Sequence, residues 1–302
     1  MSTTTTTTGA ATDLLARPTS FSTAQRPVKI RLDRVTQTFP VRPEAGHRHG
    51  TTLTALQDVT LEIHDGEFLA LVGPSGSGKS TLLDLLGGLT APTSGRILID
   101  GNPVSGTGHD RGIVFQQYAL LPWKTALDNI AFGLTSTGAP RREARERART
   151  YLDLVGLSGF ADRYPHELSG GMKQRVAIAR SLVYEPDILL MDEPFGALDA
   201  QTRERLQAEL LGIWQHTGTT VVFITHSIEE AVFLGQRVAV LDTRPGRLKT
   251  VVRVDLDRSD PTADIRSDPA FVAARHHVWE LLHSSGSAAV DQESHRTEGS
   301  TR

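Results

Sequence analysis

The 302-residue chain contains no cysteine. Disulfide scaffolds, cysteine-ligated zinc, iron–sulfur clusters and thiol catalysis are therefore excluded. The chain also lacks an excess of positive charge: 32 Lys and Arg face 35 Asp and Glu, for a net charge of −3. A general polyanion binder needs a basic excess or a basic stripe, so no nucleic-acid partner is expected. Long apolar runs are missing too. The longest, such as Phe68 to Val72, hold about five residues where a membrane-spanning helix needs about 20. No charged segment followed by an apolar one opens the chain, so no secretory signal is expected. What remains is 38% hydrophobic and 22% charged, enough apolar material for a core and too much for wholesale disorder. Taken alone, these features describe a soluble cytoplasmic protein.

Residues 1–26 include an unbroken threonine run, Thr3 to Thr8, and read as a disordered tail, because they cannot bury enough surface to offset ordering entropy. Residues 286–302 read as a second polar tail. Between them, strand and helix patterns alternate. Val28 to Phe39, Leu61 to Ile63 and Phe68 to Val72 read as strands, the last two divided by an Asp65-Gly66 turn. A helix opens near Lys79 and stops before Gly87-Gly88, and Arg96 to Ile99 forms a strand closed by Asp100-Gly101. His47-Arg48-His49 reads as a solvated loop rather than a metal site. Pro122 to Val183 is mostly helical. Its arginines, Arg141 to Arg149, are interrupted by Glu143 and Glu146, which suits a solvated face better than a nucleic-acid stripe. Ile188 to Met191 and Val221 to Ile224 read as buried strands, with Leu206, Leu210, Ile213 and Trp214 between them at helical spacing, as core. The alternation predicts βαβ units and a largely parallel sheet, an α/β fold with a helical insertion.

Gly73-Pro74-Ser75-Gly76-Ser77-Gly78-Lys79-Ser80 fits the pattern G-x-x-x-x-G-K-[ST] and continues through Thr81 into a helix. Glycines let the backbone approach phosphates and take positive φ. Successive N–H groups then form an anion nest at a helix N-terminus, whose dipole favours negative charge. Lys79 would neutralise the β- and γ-phosphates of a nucleotide, and the Ser80 hydroxyl would ligate Mg²⁺. A second apolar strand ends in Asp192-Glu193, which places two carboxylates at the C-terminal edge of a parallel sheet, where α/β ligand sites lie. Asp192 would hold Mg²⁺ through water, and Glu193 would polarise an attacking water.

Leu168-Ser169-Gly170-Gly171-Met172-Lys173-Gln174-Arg175 resembles the signature motif of ATP-binding-cassette (ABC) ATPases. Phosphate loop, signature and acidic strand stand in that family's order. Phe115-Gln116 resembles its glutamine loop, Ala197-Leu198-Asp199 the loop after the acidic strand, and Thr225-His226 the histidine switch; Phe39 stands where the family stacks an aromatic on adenine, or it is core. The resemblance spans about residues 28–250. Met172 stands where many members have glutamine, and Gly196 where many have serine, and neither change removes a group with a direct chemical role.

The resemblance implies a P-loop NTPase with a RecA-like core sheet, an antiparallel β-subdomain and an inserted helical subdomain. The cassette would span 27–285: core with β-subdomain over 27–118 and 186–250, helical subdomain over 119–185, and a C-terminal extension over 251–285. It implies a head-to-tail homodimer with ATP and Mg²⁺ between one copy's phosphate loop and the other's Ser169, Gly170 and Gly171. Gln116 would reach the γ-phosphate through the metal or the attacking water, and His226 would hold the γ-phosphate, water and Glu193 in line.

The stretch Tyr118 to Trp123 resembles the surface that receives a permease, with Trp123 either exposed there or buried. Together with Met172 and the segment from Asp268 to Trp279, it resembles the nitrate, sulfonate and taurine importers of bacteria. Those importers join two ATPases to two permease subunits and an extracytoplasmic solute-binding protein, at the cytoplasmic face of the inner membrane. Two alternatives stand beside import. One is an exporter or lipoprotein-release ATPase. The other is a cassette ATPase acting on nucleic acid or ribosomes, against which stand the single cassette and the short interval of about 90 residues between phosphate loop and signature, too short for a long coiled coil.

Overall fold

Period-two alternation along β1 (Val28–Val41) turns Ile30 and Leu32 to a buried face, and a bulge with Arg34 at φ 50° returns Val35 to burial. In the computed structural model, which describes residues 26–41, 51–243, 245–258 and 264–284, β1 pairs antiparallel with β2 (Thr51–His64) and β4 (Ser94–Ile99). The short β5 (Asn102–Pro103) completes a four-stranded sheet in the order β2-β1-β4-β5. The β4–β5 turn uses Asp100 and Gly101, both at positive φ, which matches the right-handed twist of the strands it joins. The His47-Arg48-His49 tract and the tails at 1–25 and 285–302 lie outside the described residues.

The second sheet holds β3 (Phe68–Val72), β6 (Arg111–Val114), β7 (Ile188–Asp192), β8 (Thr220–Ile224), β9 (Arg237–Asp242) and β10 (Arg247–Arg253). Its order is β10-β9-β3-β8-β7-β6, parallel throughout except for β10 against β9. Both faces are covered, which is why β3 and β8 are apolar at nearly every position and buried along their whole length. Leu69 and Leu71 point to a core shared with Ile30, Leu32, Leu56 and the helix α1 (Lys79–Leu86). Phe68, Ala70 and Val72 point to the other core, where Trp214 of the later helix α5 (Ala200–Thr217) meets Phe68 edge-on at 5.6 Å. Leu206, Leu210 and Ile213 are buried in that same core. The Asp65-Gly66 turn does not fold a hairpin. It carries the chain from the antiparallel sheet to the parallel one, and the buried Glu67 ties the crossing by accepting from the His64 N–H (2.8 Å) and Arg237 Nη1 (3.0 Å).

Three α-helices intervene between β6 and β7: α2 (Ala126–Thr135), α3 (Arg141–Leu154) and α4 (Gly170–Leu182). Along α3, Ala144, Ala148, Tyr151 and Leu152 face inward, while its arginines face solvent or acids, with Arg142 on Glu146 at 3.1 Å and Arg147 on Glu185 at 2.8 Å. After β7 come α5 (Ala200–Thr217), α6 (Ile228–Leu234) and, following β10, α7 (Pro269–His283). The buried Arg258 satisfies the carbonyls that end α6, donating to those of Val232 (3.0 Å), Phe233 (2.9 Å) and Gly235 (2.7 Å). Among the described residues no helix is long and apolar enough to cross a membrane.

The segment before α2 is irregular, and one buried side chain organises it. Asn129 accepts from the Leu121 N–H (2.8 Å) and donates to the carbonyls of Leu121 (3.1 Å), Lys124 (3.0 Å) and Thr125 (3.0 Å). Asn129→Ala removes these partners from a buried site and is expected to lower stability by about 2–3 kcal/mol, measured by urea denaturation; a loss under about 0.5 kcal/mol would contradict the clamp.

Candidate active site

The C-terminal ends of four parallel strands lie side by side. Leu71 of β3 pairs with Ile224 of β8, Ile224 with Asp192 of β7, and Met191 with Val114 of β6. This register brings Gly73, His226, Glu193 and Gln116 to one edge, each one or two residues beyond its strand. An open parallel sheet offers its ligand crevice at that edge.

The loop from Gly73 to Ser80 leaves β3 and enters α1. Gly78, at φ 85°, precedes the first helical residue, a left-handed turn that favours glycine. Its bare Cα is also needed for room, since a Cβ there would stand 2.8 Å from the Ala55 carbonyl and 2.5 Å from Leu56 Cδ2. Lys79 folds back over the loop and donates to the carbonyls of Gly73 (2.8 Å) and Pro74 (3.1 Å). Burial lowers its ammonium pKa, and the negative charges of Glu193 and Asp192 oppose that shift. Ser77 Oγ is buried with no hydrogen-bond partner. Pro74, Ser75, Gly76 and Ser80 are exposed, and Thr81 is half-buried.

Asp192 is half-buried. Burial raises its carboxyl pKa, the Ser80 hydrogen bond pulls it down, Glu193 and Asp84 add to the rise, and Lys79 opposes it. Glu193 sits at φ 42° and donates its N–H to the Ile224 carbonyl at 2.9 Å. A non-glycine residue in that region is strained and persists only where its surroundings hold it. The strained turn aims the carboxylate at His226, whose Nδ1 lies 2.9 Å from Glu193 Oε2. A carboxylate oxygen accepts, so Nδ1 donates and Nε2 is left for a second partner. Gln116 is exposed beside this pair. The donor set of hydroxyl, carboxylate and amide oxygen suits a small hard cation such as Mg²⁺.

Ser169, Gly170 and Gly171 lie on the three-helix insertion, at the start of α4. Ser169 caps α4, accepting from the Met172 N–H at 3.3 Å. A Cβ at Gly171 would meet Thr202 Cγ2 at 2.8 Å, and one at Gly170 would meet the Tyr118 hydroxyl at 3.1 Å, so the signature packs against α5 and the segment after Gln116. Phe39 is not core. It is 38% exposed near the end of β1, paired with Leu53, two residues from Ala55 and its contact with the phosphate loop. Trp123 is 70% exposed.

The profile of the family described as ABC transporter matches residues 56–196. A taurine import ATP-binding protein of Rhizobium johnstonii is 51% identical over 244 residues, 79% of this chain and 92% of that protein. A nitrate import ATP-binding protein of Synechocystis is 50% identical over 236 residues, 76% of this chain and 89% of that protein.

The chain belongs to the ABC transporter family.

It is an ATP-binding cassette, an ATPase coupled to transmembrane transport. Among solved structures, a dimeric ATP-binding cassette in a post-hydrolysis state with ADP and Pi matches with a TM-score of 0.65 at 37% identity, over 75% of this chain and 99% of that one.

The cassette holds its phosphate loop with a residue that no motif marks. Gly246, in the turn between β9 and β10, packs so closely that a Cβ would stand 2.2 Å from the Ser77 carbonyl oxygen and 2.7 Å from that of Ala55. Its own N–H donates to the Ala55 carbonyl at 3.1 Å. Pro245-Gly246 signals a turn in the sequence, but nothing local tells what the turn touches. Gly246→Ala must push the loop backbone aside, an overpacking cost of about 1–3 kcal/mol. ATP affinity is expected to fall about tenfold by titration calorimetry, and unchanged affinity would contradict the contact.

Proposed function

We propose that this cassette is the ATP-hydrolysing subunit of an importer for a small anion of the nitrate, sulfonate or taurine type. Two copies would close head to tail on two ATP molecules and drive a separate permease, with an extracytoplasmic solute-binding protein presenting the solute. The import reading rests on the likeness to the taurine and nitrate import proteins over most of their length. The dimer reading rests on the likeness to a dimeric cassette, and on a signature whose Ser169 is exposed at the start of α4. The exposed Trp123, on a segment braced by Asn129, suits a permease contact. Such a complex works at the cytoplasmic face of the cell membrane.

The observation that carries the catalytic reading is the Glu193–His226 pair at 2.9 Å on the strand edge that also bears Lys79. Lys79 leaves the two loop carbonyls for the β- and γ-phosphates, exchanging two neutral acceptors for charged ones. The Ser77 N–H is given to the Pro74 carbonyl at 3.2 Å, and the other N–H groups at the start of α1 would serve the same phosphates. Ser80, Asp192 and Gln116 would hold Mg²⁺, Asp192 through water; bound there, the ion neutralises charge on the β- and γ-oxygens. Glu193 takes the proton of the attacking water. His226, donating from both ring nitrogens when protonated, spans Glu193 and the γ-phosphate and keeps them in line. Ser169 and the first N–H groups of α4 meet the γ-phosphate held by the other copy. Phe39 would cover the adenine.

Glu193→Gln keeps the shape and removes the base. Turnover is expected to fall by about 100-fold or more with ATP affinity retained, and uptake of labelled taurine or nitrate by cells carrying that variant should cease. Near-normal hydrolysis would contradict the base, and uptake of neither solute by the wild-type system would contradict the solute class.

A further inference from the structure

The histidine proposed to span base and phosphate has little holding its ring, which is 68% exposed. Its backbone neighbours are held much more firmly. Thr225 donates its hydroxyl to Glu230 at 2.6 Å, and the same hydroxyl oxygen accepts the Ser227 N–H at 3.0 Å. Ser227 in turn caps α6 by accepting the Glu230 N–H at 3.3 Å. The residues before and after His226 are thus tied into one ring of bonds that closes on Glu230. A buried carboxylate is a costly way to anchor a threonine unless charge partners compensate. Glu230 is 6% exposed, and two partners reach it from other parts of the fold.

The first is Arg203, in the opening turn of α5. Its Nη2 donates to the Leu198 carbonyl at 2.7 Å, in the loop that follows the acidic strand. Its Nε is buried without a hydrogen-bond partner and lies 3.8 Å from Glu230 Oε1. That orphaned donor has one charged acceptor within a small movement of α5. The second is Gln207, one turn further along α5, whose side chain favours the charged form of Glu230. Gln207 Oε1 is taken by Arg266 Nη2 at 2.7 Å, which leaves its amide N–H₂ as the donor to the carboxylate. Arg266 comes from the segment before α7; it also binds Glu229 at 2.9 Å and lies 4.2 Å over the Phe233 ring.

We propose that Glu230 is a positioning residue for ATP hydrolysis, setting the backbone that carries His226. Arg203 and, through Gln207, Arg266 would transmit to it the positions of the Leu198 loop and the C-terminal segment. The proposal rests on the reading of His226 given above. The gap at Arg203 gives it a direction. Closing 3.8 Å to hydrogen-bond distance draws α5 and its Leu198 loop toward the histidine, so movement of that loop and placement of His226 become one event.

The test uses the full-length chain, with kcat, KM for MgATP and thermal stability measured for each variant. Glu230→Ala is expected to lower kcat about tenfold with KM within about twofold, and Arg266→Ala to lower it about threefold. Arg266→Lys should recover part of the latter loss. Glu230→Gln and Thr225→Val repeat the test without emptying a buried site, and each should lose kcat rather than KM. In a His226→Ala background the loss from Glu230→Gln should vanish, because a residue acting through the histidine has nothing left to place. An equal loss in both backgrounds, or lower thermal stability with kcat unchanged, would overturn the proposal. Wild-type turnover by His226→Ala alone would overturn the reading beneath it, and is distinguishable because it needs no Glu230 variant.

Discussion

Three stretches of backbone meet at the phosphate loop with no space for a side chain between them. β2 reaches it through the Ala55 carbonyl, the β9–β10 turn through Gly246, and the loop itself turns at Gly78 in a left-handed conformation. Each contact is shorter than a Cβ would allow. The loop's path is therefore fixed by the backbone packed against it. The antiparallel sheet and the parallel sheet come together at this point, so the site depends on how both are packed.

The parallel sheet supplies the second half of the arrangement. Its strands are buried on both faces and cannot slip in register without moving apolar residues to the wrong core. The register sets Asp192 level with Ile224, so the residues that follow, Glu193 and His226, meet at 2.9 Å. Charges of opposite sign face each other within the crevice. Burial disfavours the charged forms of Lys79 and Asp192 alike, and each sign of charge eases the other. A bound nucleotide and its cation would replace these provisional partners with stronger ones.

Much of this was legible in the sequence because the signals are local. A glycine-rich loop between an apolar strand and a helix, and an acidic pair closing a second apolar strand, carry their structural context with them. The α/β class and the helical stretch before β7 follow from periodicity. What stayed hidden is non-local. Gly246 reads as an ordinary turn glycine, and Glu230 as one of two acids in the first turn of a helix; only the fold brings the one against Ser77 and the other beneath Thr225. Asp65-Gly66 shows a further limit, since a turn dipeptide does not say whether its strands share a sheet. Phe39 and Trp123 could each be core or surface by sequence, because an aromatic residue suits both; the fold exposes them.

The central claim is that the chain works as a pair, each copy completing the other's nucleotide site. Solution mass by light scattering with the Glu193→Gln chain tests it directly, because that variant should bind ATP without consuming it. The mass should lie near 32.8 kDa without nucleotide and at about twice that with ATP and Mg²⁺. A mass that stays at the monomer value while ATP is demonstrably bound would contradict it.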